Sequence, residues 1–343
     1  SVKFENDRAE IIGNECILCG RCFVACPQQA KEIRSDLDKV RRLIDSGEAV
    51  VASVAPSFIA GFDAGGIGAM RRALQKLGFS DAEETAVGAD FVSREYEKLM
   101  ASGSGALISS CCPSVNLLIQ KYYPDMLDCL APTLSPMRAH CRSIKQRDPA
   151  ARTVFIGPCI SKKYEADEEE AADACLTFDE LQKWMDEAGV AFEPSPEDAP
   201  PLNARAYPTV GGILRTLKPN GYEAIAIDGA ANCIAALEEL RTRKRDKVFL
   251  EMSACEGSCI GGPVIREHAQ RRVVGAIRVA RYAGDASPKD PPPRDMALAF
   301  PRMRLIRVQP GGEAIQQVLN RMGKTTKDKE LNCGCCGYPT CRD

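Results

Sequence analysis

The sequence contains few histidines, no excess of either charge and no long apolar run. Only two histidines, His140 and His268, occur in 343 residues, which argues against zinc because zinc sites commonly recruit histidine. Lys and Arg number 45 against 47 Asp and Glu, and this balance argues against the basic face typical of nucleic-acid-binding proteins. No apolar run reaches the roughly 18 residues that a transmembrane helix needs. Because the charged start, SVKFENDRAE, also lacks the apolar core of a secretory signal, we expect a cytoplasmic protein without nucleic-acid or membrane partners.

Cysteine, by contrast, is abundant, with 17 residues. Disulfide scaffolds of secreted proteins are short and usually hold an even number of cysteines, whereas this chain is long and its number is odd. Iron–sulfur clusters take thiolate ligands almost exclusively. The composition therefore favours an intracellular iron–sulfur redox protein.

Strand-like and helix-like segments alternate along the chain. Residue type and periodicity favour strands at 49–54, 106–108, 153–156, 224–227, 248–251 and 304–308. Apolar residues at helical spacing favour helices at 67–77, 83–100, 178–188, 230–240 and 313–322. Such alternation is typical of an α/β fold with mainly parallel sheets flanked by helices.

Cysteines follow three of the predicted strands at the point where each strand ends. Cys111 and Cys112 follow the strand at 106–108, Cys159 and Cys255 follow two others, and Cys259 lies one short turn after Cys255. In open α/β sheets the carboxyl ends of the strands line the ligand crevice. We therefore expect a metal site there, and we interpret the cysteines without a pattern as buried free thiols: Cys129, Cys141, Cys175 and Cys233.

The N-terminal string CILCGRCFVACP has the spacing C-x2-C-x2-C-x3-C-P, which is typical of bacterial 4Fe–4S ferredoxins. Its ligands would be Cys16, Cys19, Cys22 and Cys26. In two-cluster ferredoxins the fourth cysteine serves the other cluster, and the chain has no second such run. Three alternatives stay open: Cys26 closes the same cluster, residues that precede Ser1 contribute, or a distant cysteine takes part.

Three internal motifs together resemble the signatures TSCCPxW, MPCxxKxxE and ExMACxxGCxxGG of the iron-only (FeFe) hydrogenases. They are SSCCPSV (109–115), GPCISKKYE (157–165) and EMSACEGSCIGG (251–262), in the same order. The resemblance covers about 49–322 and implies a hydrogenase H-domain of two lobes with the active-site cleft between them. We expect a ferredoxin-like segment at 1–46, the H-domain at 47–323 and a cysteine-rich 4Fe–4S motif at 324–343.

The resemblance also implies the ligands of an H-cluster. In this family the four cysteines hold a 4Fe–4S cubane, and the last one also bridges to a di-iron subsite with CO, cyanide and an azadithiolate bridge. The matching positions are Cys112, Cys159, Cys255 and Cys259.

Four further positions match residues that serve the di-iron subsite. The resemblance implies that Lys162 donates to one cyanide, and that Ser57 with the backbone around Pro56 donates to the other. Cys111 matches the thiol that passes a proton to the bridging amine, and adjacent side chains on an extended segment face opposite sides. Glu165 is expected to pair with a neighbouring lysine, and Lys163 to be a surface charge.

Several positions depart from the signatures. Val115, Gly157, Ser253 and Pro263 replace a tryptophan, two methionines and a glycine, and Met137 stands where glutamine is frequent. The glutamate relay of the prototypes has no match, because Glu95 and Glu97 lie at a different offset. Such a chain resembles the divergent, sensory members of the family.

The C-terminal string NCGCCGYPTCRD resembles a C-x2-C-x4-C type of 4Fe–4S motif, formed by Cys333, Cys336 and Cys341. The chain stops two residues after Cys341, so we expect this motif to be truncated. Cys335 could serve as a substitute ligand, but only one residue separates it from Cys333, which makes its geometry awkward. In sensory relatives a signalling domain follows at this point, such as a PAS domain or a kinase.

The preferred function is reversible H2 ⇌ 2 H⁺ + 2 e⁻ chemistry in a hydrogen- or redox-sensing role. Its partners would be H2, protons, a redox partner such as ferredoxin, and maturases that deliver the di-iron subsite. The alternatives are a hydrogenase-like iron–sulfur assembly factor or an electron-transfer protein, both without that subsite.

Overall fold

The computed structural model describes residues 1–5, 8–168, 171–194, 201–265, 272–287, 290–305, 311–333 and 340–342. The strands are β1 (Val2–Glu5), β2 (Arg8–Ile11), β3 (Val50–Val54), β4 (Asp81–Glu84), β5 (Leu107–Ile108), β6 (Arg152–Gly157), β7 (Ala174–Thr177), β8 (Glu223–Asp228) and β9 (Val248–Ser253). The helices are α1 (Arg21–Val24), α2 (Leu37–Asp45), α3 (Phe58–Gly61), α4 (Ile67–Lys76), α5 (Ala86–Ser102), α6 (Pro113–Tyr122), α7 (Pro136–Arg147), α8 (Ser161–Asp167), α9 (Phe178–Ala188), α10 (Ala230–Leu240), α11 (Arg272–Tyr282) and α12 (Gly312–Arg321). Within this part of the chain no helix has the length and apolar content needed to cross a membrane.

The chain divides into two compact units, Ser1–Met303 and Arg304–Asp343. Two parallel sheets form the centre of the larger unit, with strand orders β4-β3-β6-β7 and β5-β9-β8. In the first sheet Val51 pairs with Asp81 on one side and with Thr153 on the other. This arrangement confirms the predicted α/β class with parallel sheets flanked by helices.

Local sequence explains why these segments adopt their structures. β3 reads VVASV and is buried except at the partly exposed Val51, as expected for a strand covered on both faces. α9 begins at a reciprocal cap, in which the Thr177 hydroxyl accepts the Glu180 N–H and the Glu180 carboxylate accepts the Thr177 N–H. The same helix ends at Gly189, whose φ of 64° is left-handed.

β9 illustrates how the second sheet is packed. Leu250 and Met252 belong to one apolar cluster, which also contains Ile108 and Val115. Phe249 points to the opposite face and joins a second cluster that contains Tyr96. This alternation follows the two-residue period of a strand, and it places helices on both faces of the sheet.

The predicted elements compare closely with the observed ones. The predicted strands at 49–54, 106–108, 153–156, 224–227 and 248–251 correspond to β3, β5, β6, β8 and β9. The predicted helix at 83–100 starts too early, because Glu83 and Glu84 belong to β4, an acidic strand (DAEE) without a strand-like pattern. Residues 304 and 305 have no regular structure, and the rest of the predicted strand at 304–308 lies outside the described residues.

The N-terminal segment is attached to α6 of the larger unit. β1 and β2 form an antiparallel hairpin, which is followed by the cysteine-containing loop and α1. The Tyr122 hydroxyl donates to the Glu15 carbonyl at 2.7 Å, and Lys121 Nζ donates to the Cys16 carbonyl at 2.7 Å. These bonds place the first cysteine loop beside the cysteines that follow the strands.

Candidate functional site

One cavity collects the cysteines that follow the strands. Its volume is about 110 Å³, roughly ten times what a single water needs. Cys112 follows β5 and caps α6, Cys159 and Cys255 come shortly after β6 and β9, and Cys259 lies in a 3-10 turn at Ser258–Gly261. All four line the cavity, so the structure brings together the cysteines that the sequence predicts as ligands.

The four thiols form a site that suits a cationic cluster. Burial raises the pKa of Cys255, and the nearby Cys159 and Cys112 raise it further. The same causes, in the same order, raise the pKa of Cys259, although this residue as a whole is more exposed than the other three. Four thiolates at this position therefore require positive charge between them, which an iron–sulfur cubane supplies.

A single metal ion does not fit the same residues. Among the described side chains, no three of His, Cys, Asp and Glu are arranged to hold one ion. A cubane binds its thiolates through four different irons and so accepts ligands that lie farther apart. Four cysteines that line one cavity are the ligand set that a cubane takes.

The wall of the cavity also contains an unpartnered hydroxyl. Ser57 follows β3, is 1% exposed and lines the cavity. Its Oγ has no hydrogen-bond partner among the described residues. A buried hydroxyl without a partner is costly, so this position fits a bound group that brings its own hydrogen-bond acceptor.

Lys162 contributes a buried cation to the same wall. Its Nζ donates to Ser135 Oγ at 3.2 Å, to the Cys111 carbonyl at 3.3 Å and to the Glu165 carboxylate. Burial lowers the pKa of Lys162, but the Glu165 carboxylate outweighs this effect and raises it above the usual value. Lys162 is therefore charged, and the expected pairing of Glu165 with a neighbouring lysine is found.

The expectation for Lys163 is wrong. Its side chain is buried, lies 2.8 Å from the Glu180 carboxylate and donates to the Cys175 carbonyl at 2.6 Å. A helix of seven residues such as α8 can bury two successive lysines because each of them points toward a different acidic partner. Lys163 thus links α8 to the cap of α9.

Cys111 lies beside Cys112 but packs on the other side of the chain. Cys111 contacts the cluster of Tyr96, whereas Cys112 contacts the cluster of Val115. Cys111 Sγ lies 3.1 Å from Tyr96 Oη, and burial raises the pKa of Cys111 to about 12. The thiol is therefore protonated at the edge of the cavity, which it also lines.

Two departures from the hydrogenase signatures have structural explanations. A Cβ at Gly157 would lie 2.6 Å from the Phe155 ring, so a side chain at this position would require the ring to move. Pro263 packs against Gly20 of the N-terminal loop. The glycine of the family signature at position 263 would lack the ring that makes this contact.

Three of the N-terminal cysteines, Cys16, Cys19 and Cys22, lie close to one another. Burial raises the pKa of Cys19, and nearby Cys16 and Cys22 raise it further. Cys26 Sγ instead accepts the Ala30 N–H at 3.4 Å, which lowers the pKa of its thiol. Cys19 also lines the cavity of the strand-end cysteines, so the two cysteine-rich regions meet there.

The C-terminal motif belongs to the smaller unit. Cys333 is exposed, and Cys341 Sγ accepts from Lys324 Nζ at 3.1 Å and from the Asn332 N–H at 3.4 Å. Cys335 and Cys336 lie outside the described residues, as does His268.

Glu251 is a residue whose role the sequence did not indicate. It is 3% exposed, lines the cavity and accepts the N–H groups of Gly211, Ile213 and Leu214 at 2.9, 2.9 and 3.1 Å. Burial raises its pKa to about 7, although these N–H groups act in the opposite direction. Its position as the first residue of EMSACEGSCIGG was the only signal available.

Comparison with known proteins finds iron-only hydrogenases among the relatives of this chain. The model of the iron-only hydrogenase large subunit, C-terminal domain, matches residues 48–219 and 215–263, more than half of the chain. Iron hydrogenase 1 of Clostridium pasteurianum is 27% identical over 361 residues, which cover 72% of this chain and 63% of that protein. The cytosolic Fe-S cluster assembly factor NAR1 of Kluyveromyces lactis is 26% identical over 122 residues, or 35% of this chain and 24% of that protein.

The fold is also found among solved structures. A variant of FeFe-hydrogenase HydA1 from Chlamydomonas reinhardtii superimposes with a TM-score of 0.53 at 17% identity, over 70% of this chain and 88% of that one. The present chain spans 63% of the length of Iron hydrogenase 1. Through the C-terminal domain of the large subunit, the chain belongs to the iron-only hydrogenase family.

Proposed function

We propose that this protein is an FeFe hydrogenase that interconverts H2 with two protons and two electrons. The observation that carries the proposal is the buried, unpartnered Ser57 hydroxyl in the wall of the cavity that the four cysteines line. A cavity for a cubane alone has no need of this donor. A di-iron subsite with cyanide ligands provides the missing acceptor.

Each residue of the cavity has a distinct task in this proposal. Cys112, Cys159, Cys255 and Cys259 would hold the cubane, with Cys259 also attaching the di-iron subsite, and Pro56 would help to shape the Ser57 donor site. When bound, this cofactor supplies the cleavage and formation of H2. Lys162 and Ser57 orient it by donating hydrogen bonds, and Cys111 holds and releases a proton at Sγ.

Electrons would leave through the N-terminal cysteines. Cys19 lines the same cavity, and its electrostatic influence reaches Cys255. A 4Fe–4S cluster held by Cys16, Cys19 and Cys22, with Cys26 or another group as fourth ligand, would therefore lie next to the cubane. A redox partner such as ferredoxin would accept the electrons, and maturases would deliver the di-iron subsite in the cytoplasm.

A hydrogen- or redox-sensing role fits the departures from the signatures. Val115, Gly157 and Ser253 each lie two or three residues from a cysteine ligand in the sequence, and residues beside metal ligands tune potential and proton access. The motif of Cys333, Cys336 and Cys341 would lead toward a signalling domain or kinase, with a third cluster that is weak or absent in this chain.

The second candidate is an assembly or electron-transfer protein without the di-iron subsite. The match to assembly factor NAR1 favours it, but that match covers only 35% of this chain. This candidate gives no role to the Ser57 hydroxyl or to the buried Lys162.

The substitution Cys111→Ala tests the proposed function. We expect the matured variant to keep its iron content, while H2 oxidation and evolution fall by roughly 10²–10⁴-fold, the usual effect of removing a positioned acid. Loss of iron would instead make Cys111 a ligand. Undiminished turnover with full iron content would contradict the proton role of Cys111.

A further inference from the structure

The cavity wall contains a hydroxyl that belongs to a longer hydrogen-bonded chain. Tyr207 lines the cavity, and its Oη lies 2.8 Å from Ser93 Oγ. Ser93 Oγ in turn lies 2.7 Å from Thr216 Oγ1. Tyr207 and Ser93 are 8% and 4% exposed, whereas Thr216 is only half-buried. Three hydroxyl groups in hydrogen-bond distance of one another therefore lead from a residue of the cavity wall to a half-buried residue.

The chemistry of these three groups suits proton transfer. A hydroxyl donates one hydrogen bond and accepts up to two, so each group can receive a proton on one side and release another on the opposite side. Burial raises the pKa of Tyr207 well above its usual value, so its hydroxyl stays neutral. Neutral hydroxyls pass a proton along without leaving a charge in the interior.

Neighbouring groups fix the positions of the Ser93 and Thr216 side chains. Ser93 lies on α5, and its Oγ lies 3.2 Å from the Ala89 carbonyl. Thr216 Oγ1 lies 2.7 Å from the Ile213 carbonyl. Each hydroxyl has a single hydrogen, which points either to this carbonyl or along the chain of hydroxyls. The Glu251 carboxylate in turn holds the backbone of Ile213 and Leu214, so the outer part of the chain is attached to the cavity wall.

Two carboxylates of α5, Glu95 and Glu97, do not offer the same route. Glu95 pairs with Lys98 at 2.5 Å on the outside of the helix. Glu97 accepts the N–H of Lys218 at 2.9 Å, also at the surface. Lys218 follows Thr216 by two residues, so Glu97 places an acid near the outer end of the hydroxyl chain.

We propose that Tyr207, Ser93 and Thr216 form a proton relay between the cavity and solvent. The proposal rests on the proposed hydrogenase function, which requires the cavity to exchange protons with water. A proton that reaches Thr216 displaces the hydroxyl proton toward Ser93, then toward Tyr207, and one proton enters the cavity. No covalent bond between heavy atoms changes, and the reverse sequence exports a proton.

Two substitutions of Thr216 distinguish the effect of its hydroxyl group from the effect of its side-chain shape. Thr216→Val has nearly the same shape but no hydroxyl, whereas Thr216→Ser keeps the hydroxyl. Thr209→Val is a matched control, because Thr209 lies nearby in the sequence and its hydroxyl donates to the Ala206 carbonyl at 2.8 Å, outside the proposed relay. Ser93→Ala interrupts the middle of the relay and provides a second test if Thr216→Val does not fold.

The measurement is the rate at which the carbonyl infrared bands of the matured protein respond to a rapid pH jump under argon, without H2. We expect Thr216→Val to slow this response by roughly tenfold or more, which is less than the roughly 10²–10⁴-fold effect of removing a proton donor that acts directly on the reacting group. Thr216→Ser and Thr209→Val should respond at the wild-type rate. An unchanged rate in both Thr216→Val and Ser93→Ala would overturn the relay, while H2 turnover would continue to support the hydrogenase. Absence of carbonyl bands in the matured wild type would overturn the proposed function and the relay together.

Discussion

Gly20 and Pro263 lie in direct contact, and this contact joins the two cysteine-rich loops of the larger unit. Gly20 has a left-handed φ of 74°, and a Cβ built on it would lie 2.7 Å from Pro263 Cβ. Gly20 stands between Cys19 and Cys22, and Pro263 follows Cys259 by four residues. The close approach of the two loops therefore depends on the missing side chain of Gly20.

Gly20→Ala should destabilise the protein more than a substitution that only strains the backbone. The left-handed conformation alone costs roughly 1–2 kcal/mol for alanine, and the clash with Pro263 adds to this cost. Gly47→Ala is the control, because Gly47 has a φ of 78° but no atom within 4 Å of an added Cβ. Chemical unfolding of both variants measures the difference, and equal losses of stability would contradict the importance of the contact.

Ser57→Ala should stabilise the protein that lacks the di-iron subsite. Removing an unpartnered buried hydroxyl relieves a cost of roughly 1 kcal/mol. Ser53→Ala is the control: the Ser53 hydroxyl is equally buried, but it lies 2.7 Å from Thr85 Oγ1 and 2.8 Å from His140 Nδ1, so this variant should lose stability. If denaturant titration showed that both variants lose stability, Ser57 Oγ would have a partner after all.

Glu251 should make stability depend on pH. Folding raises the pKa of this carboxyl from 4.5 to about 7. Between these values the folded protein binds more protons than the unfolded chain, so this contribution to the free energy of unfolding falls as pH rises from about 4.5 to about 7. Glu251→Gln cannot titrate, and its unfolding free energy should vary less over this range. An identical pH profile for wild type and variant would show that Glu251 does not titrate there.

The purified protein should contain two clusters before maturation. We expect about eight iron and eight sulfide per chain, from one 4Fe–4S cluster at the N-terminal run and one in the cavity. Cys255→Ser should lose about half of this iron, whereas Cys141→Ser should lose none, because Cys141 is fully buried in an apolar cluster. Four iron per chain in the wild type, or a robust third cluster at Cys333 and Cys341, would be contrary to this expectation.

Sequence patterns predict the sheets and the cysteine cavity because both depend on local features. Apolar runs such as VVASV indicate buried strands, and a cysteine after such a strand must lie at the carboxyl edge of the sheet. The side-chain partners cannot be predicted in this way. Lys163 is buried because Glu180, 17 positions later, lies beside it in space, and Tyr207 meets Ser93 only after the chain has folded.

Infrared spectroscopy of the matured protein tests the central claim most directly. The account predicts carbonyl and cyanide bands that appear after maturation, accompany H2 oxidation and disappear in Cys259→Ser, because an alkoxide replaces the bridging thiolate poorly. A maturation-treated wild type with intact cubane clusters but no such bands would contradict the hydrogenase function. In that case the chain would carry electrons or assemble clusters, as the second candidate requires.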